Sequence, residues 1–291
     1  MGGDRKFSVS AHAMIVRGPR GRGWRAWLPV LCLALVPLAA CAPFAAGQTH
    51  PLAAPIPEPP PLPPRASMGS YDPRLAAVNA RIAHMTLDQE LGQLFIVEYL
   101  YPDANHDDLK NMFTRMGAGA VILYASMNIY TVPQTRALTR ALQAAAPIPL
   151  IIGADEEGGG DDQTNQIFGS HPSESDIGGT GDPRDAAREA TRIAKELREL
   201  GLNATFAPVV DVEAPWRRWL RSFGNSPAMV SAMSVAQVDA LQRLDVMACP
   251  KHFPGLGAAT VNPHVGLPVI DSSRAYIEAN DFAPYRALVS H

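Results

Sequence analysis

Cysteine is nearly absent: the 291 residues hold only Cys32, Cys41 and Cys249. That is too few for a disulfide framework. Long apolar runs are missing as well. The best candidate, Trp27 to Ala40, falls short of the roughly 20 apolar residues that span a bilayer. Charge is sparse and nearly balanced, with 18% Asp, Glu, Lys and Arg and a net charge of −3. Nucleic-acid binding needs a basic stripe on the folded part, and none is in view, so no nucleic-acid partner is expected. No G-x-G-x-x-G follows the first strand-like segment, which argues against a dinucleotide fold. The acidic run Asp155-Glu156-Glu157 matches no metal-ligand spacing, so neither a metal nor a cofactor is expected. What remains is a chain with 47% apolar residues, a globular composition.

The basic residues that do occur crowd the start. Arg17, Arg20, Arg22 and Arg25 precede the apolar run, which ends in Leu38-Ala39-Ala40-Cys41. A positive region, a short apolar region and small residues before a cleavage point make residues 1–41 an export signal. Met14 offers an alternative start. The Leu-Ala-Ala-Cys ending resembles the bacterial lipobox, which implies lipidation of Cys41 and an exported, membrane-anchored lipoprotein. An ordinary signal cut elsewhere is the competing reading. Residues 42–70 read as a linker: nine of the 24 residues from Ala42 to Arg65 are proline. Such a segment favours extended polyproline II and cannot pack a core.

Residues 71–291 read as the folded domain. Thr86-Leu87-Asp88-Gln89 has capping-box form, so a helix starts there. Strand-like segments are expected at Leu94–Glu98, Gly119–Tyr124, Pro149–Asp155, Ala204–Val212 and Val246–Pro250. Helices are expected over 132–145, from Asp182-Pro183 to Gly201, from Ser226-Pro227 through Leu244, and from about Ser273 to Val289. Alternating strand and helix implies a parallel sheet covered by helices. Two architectures fit, an open doubly wound sheet or a (β/α)8 barrel. The strands end in Glu98, Asp155-Glu156-Glu157, Asp211 and Lys251-His252. Ionisable groups gathered at carboxyl ends are what a barrel active site requires, and mid-strand they would be costly to bury. The expected fold is α/β, a (β/α)8 TIM-type barrel, incomplete, with about five βα units.

Five motifs sharpen this reading. Met85–Phe95 resembles the opening helix of glycoside hydrolase family 3. Ala154-Asp-Glu-Glu-Gly-Gly159 is similar to its Asp-Gln-Glu-Gly-Gly turn. Phe206-Ala-Pro-Val-Val-Asp-Val212, Arg221-Ser-Phe-Gly224 and Lys251-His-Phe-Pro-Gly255 follow in the family's order. The resemblance runs from Met85 to the end and is strongest to the β-N-acetylglucosaminidase branch. It implies that Asp155, Arg221, Lys251 and His252 bind the sugar. It also implies a retaining mechanism on β-linked N-acetylhexosaminides, cell-wall or chitin-like. A carbohydrate is therefore the expected partner, besides a membrane reached through the lipid anchor, and a monomer is expected.

The resemblance also implies a mobile loop with an Asp-x-His pair whose histidine is the general acid/base. Here the loop runs from Gly255 to Pro268 and reads Asn262-Pro263-His264. His264 matches the histidine, and histidine suits proton transfer near neutrality. Asn262 stands in place of the aspartate and brings no negative charge to support an imidazolium. A second departure is Gly160-Asp161-Asp162-Gln163, where the family shows an Arg-x-x-Arg stretch. The third is that the family's nucleophilic aspartate lies on a later strand than the five readable here. We therefore expect an incomplete chain that does not turn over substrate by itself. The rival expectation is a non-catalytic sugar-binding lipoprotein.

Overall fold

The computed structural model describes residues 73–214 and 221–290. The leader with Cys41, the proline-rich linker and the expected start at Tyr71 lie outside them. Seven strands are described: β1 (Ile96–Glu98), β2 (Ala120–Ile122), β3 (Ile151–Ala154), β4 (Glu156–Gly158), β5 (Asp161–Asp162), β6 (Ala204–Thr205) and β7 (Met247–Ala248). The helices are α1 (Pro73–Ile82), α2 (Leu87–Gly92), α3 (Asp108–Lys110), α4 (Val132–Ala145), α5 (Asn165–Phe168), α6 (Glu174–Thr180), α7 (Pro183–Leu200), α8 (Pro227–Gln242), α9 (Arg274–Ala279) and α10 (Phe282–Val289), with a π-helical turn at Asn111–Arg115.

The main sheet has five parallel strands in the order β1-β2-β3-β6-β7. Strand order follows chain order with no reversal. A doubly wound sheet reverses at its switch point, whereas a barrel advances strand by strand. The five-unit arc of a (β/α)8 barrel is what the sequence led us to expect. Strands β4 and β5 form a separate antiparallel hairpin that leaves the sheet directly after β3.

Local sequence sets the helix ends. Thr86 Oγ1 accepts the Gln89 amide while Gln89 Oε1 accepts the Thr86 amide, so both sides of the capping box form. Helix α7 starts at Asp182 with Pro183 in its first turn and stops at Gly201, whose φ of 83° is left-handed. Its buried stripe is Ala186, Ala190, Ile193, Ala194, Leu197 and Leu200, at the i, i+3, i+4 spacing of an amphipathic helix. Most of that stripe joins Val121, Leu123, Ile152, Leu138 and Leu142 in the main core. Below β3, Asn203 acts as a splice, accepting the Ile152 amide at 2.7 Å and donating to the Leu150 carbonyl at 2.9 Å.

Two elements differ from expectation. The ladder of β6 stops at Thr205 instead of running to Val212. Pro208 has no N–H to give a ladder, and pairing resumes only as a bridge between Val209 and Lys251. The expected last helix is broken into α9 and α10 at Asn280. Asn280 caps α9 with both its amide and its side chain on the Tyr276 carbonyl. Pro284 explains the break: it cannot continue a helix from four residues back, but it sits well in the first turn of a new one.

Candidate active site

The carboxyl ends of the strands open into one cavity of about 1030 Å³. Asp155, Arg221, Lys251, His252, Asn262 and His264 all line it, so the structure brings every sequence-predicted pocket residue together. Phe206, Leu256 and Pro263 give the wall apolar surface, and Tyr124, Asp161 and Gln163 complete it. Such a mixture suits a pyranose, which has apolar C–H faces and a rim of hydroxyls.

A residue that sequence reasoning left in the background organises the polar side. Glu157, 4% exposed, lies on the hairpin and accepts Arg221 through both its oxygens, from Nη2 at 2.6 Å and Nε at 2.9 Å. Lys251 Nζ reaches the same carboxylate at 2.7 Å and also donates to Asp155. Asp161, half exposed, adds a contact of 3.2 Å to Arg221 Nε. Burial alone would lower the pKa of Lys251, but the carboxylates of Glu157 and Asp155 outweigh it and leave the ammonium above its ordinary value. Burial and Glu157 act on Arg221 in the same opposing senses, again with a net rise. Both cations are therefore held charged. The acidic run after β3 is thus no solvated turn: Glu156 and Glu157 are buried and Asp155 half-buried.

His252 is positioned by Asp211, whose Oδ2 lies 2.9 Å from its Nδ1. The other oxygen of Asp211 accepts the Leu256 amide at 2.7 Å. A carboxylate partner makes Nδ1 the protonated nitrogen and leaves Nε2 as an acceptor in the neutral ring. Tyr124 donates to Glu98 at the end of β1. Burial, helped by Glu98, pushes its phenol up to about 12. Asn128, fully buried, ties the strand-end loops together, donating to the Tyr99 and Tyr101 carbonyls and accepting the Tyr124 amide.

In the loop from Gly255 to Pro268 the side chain of Asn262 is engaged locally. Asn262 Oδ1 accepts the backbone amide of His264 at 2.9 Å. Its side chain closes a local turn, and the exposed His264 imidazole takes no hydrogen bond from it. The loop is anchored instead at Gly257, where a Cβ would sit 1.9 Å from the Val212 carbonyl oxygen.

Comparison with known proteins agrees with this geometry. Residues 86–291 match the model of the "Glycosyl hydrolase family 3 N terminal domain". The chain is 31% identical over 239 residues to beta-hexosaminidase A of Pseudoalteromonas piscicida, a match covering 70% of this chain and 39% of that protein. It is 34% identical over 197 residues to a beta-N-acetylglucosaminidase/beta-glucosidase of Cellulomonas fimi, covering 67% and 34%. Among solved structures it resembles a glycoside hydrolase family 3 beta-N-acetylglucosaminidase from Paenibacillus sp. str. FPU-7, with a TM-score of 0.67, 30% identity, and coverage of 71% of this chain and 40% of that one. The chain thus spans well under half the length of these relatives. The arc of parallel strands, the ordered motifs and the matched span together mean that this chain belongs to glycosyl hydrolase family 3, through its N-terminal barrel domain.

Proposed function

We propose that this domain binds a β-linked N-acetylhexosaminide and serves its hydrolysis by a retaining mechanism. The observation that carries the reading is the convergence of Asp155, Arg221, Lys251, His252 and His264 on one cavity. In this reading Asp155 accepts hydroxyl hydrogens, while Arg221 and Lys251 donate to hydroxyl and amide oxygens. His252, oriented by Asp211, adds a directional contact. His264 transfers the proton to the leaving oxygen and later takes one from water. The nucleophile belongs to a later strand than the five described, following the resemblance. A retaining glycosidase needs both groups, so turnover is assigned to a chain that includes that strand. We also propose that residues 1–41 are a lipoprotein leader modified at Cys41, and that residues 42–70 hold the domain away from a membrane as a monomer.

The alternative, a sugar-binding lipoprotein without chemistry, is favoured by one observation: Asn262 is committed to its own turn and offers the His264 ring no charge. Titrating the 291-residue chain with N-acetylglucosamine by calorimetry tests the shared part of both readings. Asp155→Asn should weaken binding about 10- to 100-fold, the worth of a charge-assisted hydrogen bond. Unchanged affinity in Asp155→Asn would refute the pocket assignment. Turnover of an aryl N-acetyl-β-glucosaminide by a chain extended through the remaining strands, lost in His264→Ala, separates enzyme from binder.

A further inference from the structure

The hairpin that presents Glu157 to the sugar pocket has another side. There Glu156 on β4 and Asp162 on β5 stand opposite each other in the ladder. His171, from the loop between α5 and α6, completes a buried trio, with Glu156 0%, Asp162 4% and His171 3% exposed. One ligand-type atom from each lies within 4.8 Å of the others. His171 Nδ1 is 3.2 Å from Asp162 Oδ2 and 3.7 Å from Glu156 Oε1. Helix α7 closes the far side with Glu189, Glu196 and Arg192. His171 Nε2 lies 2.9 Å from Glu196 Oε2 and 3.8 Å from Glu189 Oε1. Arg192 bonds both of those carboxylates, at 3.1 Å each.

Two buried carboxylate oxygens here have no hydrogen-bond partner, Glu156 Oε1 and Asp162 Oδ1, while His171 Nε2 and Glu196 Oε2 face each other at 2.9 Å. Their neighbours on the same groups are well occupied. Glu156 Oε2 accepts the Gln163 and Thr164 amides at 3.1 Å each, and Asp162 Oδ2 accepts the His171 amide at 2.7 Å. Each carboxylate is therefore fixed in direction by one oxygen while the other is left over. A buried acceptor without a donor is costly.

We propose that Glu156, Asp162 and His171 form a structural site for a first-row divalent cation, with zinc the best match. Two carboxylate oxygens and one imidazole nitrogen are a zinc ligand set. Metal–ligand bonds of about 2.0–2.2 Å in a tetrahedron place neighbouring ligand atoms about 3.3–3.6 Å apart. His171 Nδ1 lies 3.7 Å from the left-over Glu156 Oε1, close to that spacing. It lies 3.2 Å from Asp162 Oδ2, the oxygen that also accepts the His171 amide, so a small rotation of the Asp162 carboxylate would bring its left-over oxygen to the ion. The backbone amides on Glu156 and Asp162, and Glu196 beside the outer nitrogen of His171, are the supporting contacts that orient metal ligands. Arg192 is already engaged by Glu189 and Glu196, so it does not neutralise Glu156 and Asp162. A bound cation would fasten β4 to β5 and to the His171 loop, and so stiffen the hairpin that carries Glu157 and Asp161. The ligands come from positions 156, 162 and 171, a spacing that belongs to no sequence motif.

The competing account is a proton shared between Glu156 and Asp162. The test is zinc content by elemental analysis after expression of the full chain in zinc-supplemented medium and gel filtration, because a site this buried loads as the chain folds. We expect about one zinc per chain in the wild type and at least about tenfold less in Glu156→Gln, which keeps the shape and removes one ligand charge. Chelation should lower the wild-type melting temperature, zinc chloride should restore it, and Glu156→Gln should respond to neither. If Glu156→Gln does not fold, Asp162→Asn is measured in its place, with the same expectation. Wild type without stoichiometric zinc, or a folded variant retaining as much as wild type, would overturn the proposal. A shared proton predicts the first of those results, and adventitious surface zinc predicts the second.

Discussion

Replacing Glu157 by glutamine tests whether one buried charge holds the pocket together. The carboxylate takes Arg221 at 2.6 and 2.9 Å and Lys251 at 2.7 Å. Glutamine preserves the shape, keeps one acceptor oxygen and turns an NH₂ towards a donor. Removing one partner of a fully desolvated ion pair costs about 3–5 kcal/mol. That range is too high here, because the Arg221 side chain is 36% exposed and Asp155 and Asp161 remain beside the two cations. Water and those neighbours reduce the expected loss to about 2–3 kcal/mol. For a domain of this size each kcal/mol moves the melting temperature by about 2–4 °C, so a fall of about 4–12 °C is expected. The control is Asp161→Asn, which removes an exposed contact of 3.2 Å worth about 0–1 kcal/mol. Melting curves followed by circular dichroism, at low and at about half-molar salt, read both. The Asp161 effect should fade with salt, and the Glu157 effect should largely persist. If Glu157→Gln melts no lower than Asp161→Asn, the charge clamp is not what organises the pocket.

Other expectations follow from the same geometry. The 291-residue chain, assayed alone on an aryl N-acetyl-β-glucosaminide, should show no turnover that depends on His264. In a chain extended through the proposed nucleophile, Asn262→Asp should raise the rate, and general acid catalysis sets a ceiling of about 10²–10⁴ on the gain; an unchanged rate would remove Asn262 from the proton-transfer loop. Labelling with a fatty-acid analogue should mark the wild type and not Cys41→Ser, and equal labelling would refute lipidation at Cys41. Glu174 is buried between the Val209 amide and the Gln237 side chain. Burial, reinforced by the charge of Glu157, holds its pKa well above the ordinary carboxylate range. A raised carboxyl keeps in the folded state a proton that the unfolded chain has lost, so stability falls as pH climbs above the unfolded value towards the folded one. Glu174→Gln should flatten the decline measured by urea unfolding from about pH 5 to about pH 8; parallel slopes would show that Glu174 does not titrate this way.

Much of the fold was legible because its signals are local. Thr86 with Gln89, Asp182 with Pro183, and Gly201 each encode a helix end within a few residues, and each forms as read. The pocket was legible at the level of motifs: Asp155, Lys251 and His252 each close an apolar segment, and Arg221 opens the Arg221-Ser-Phe-Gly224 motif. The parts that stayed hidden depend on contacts between distant segments. Three adjacent acids look alike in sequence; only the hairpin decides that Glu157 meets Arg221 while Glu156 turns towards His171. Asn262 was read only as bringing no negative charge to His264; that its oxygen accepts the backbone amide two residues on depends on how the loop turns. Pro284 stood in plain view inside the last helix, but its meaning as a first-turn residue required knowing that Asn280 ends the helix before it.

The hairpin after β3 has a further consequence for how this segment tolerates change. Asp155, Glu157 and Asp161 serve the pocket, while Glu156 and Asp162 serve the buried side. Along extended backbone neighbouring residues point to opposite faces, so inserting or deleting a single residue swaps the two sets. The pocket side would then receive the wrong carboxylates and the interior would lose the ones it surrounds, in one step. Point substitutions here can be graded, but changes of length should be all-or-none. Engineers grafting new specificity onto this domain would do better to vary the identities at 160, 161 and 163 than to alter the number of residues between β3 and α5.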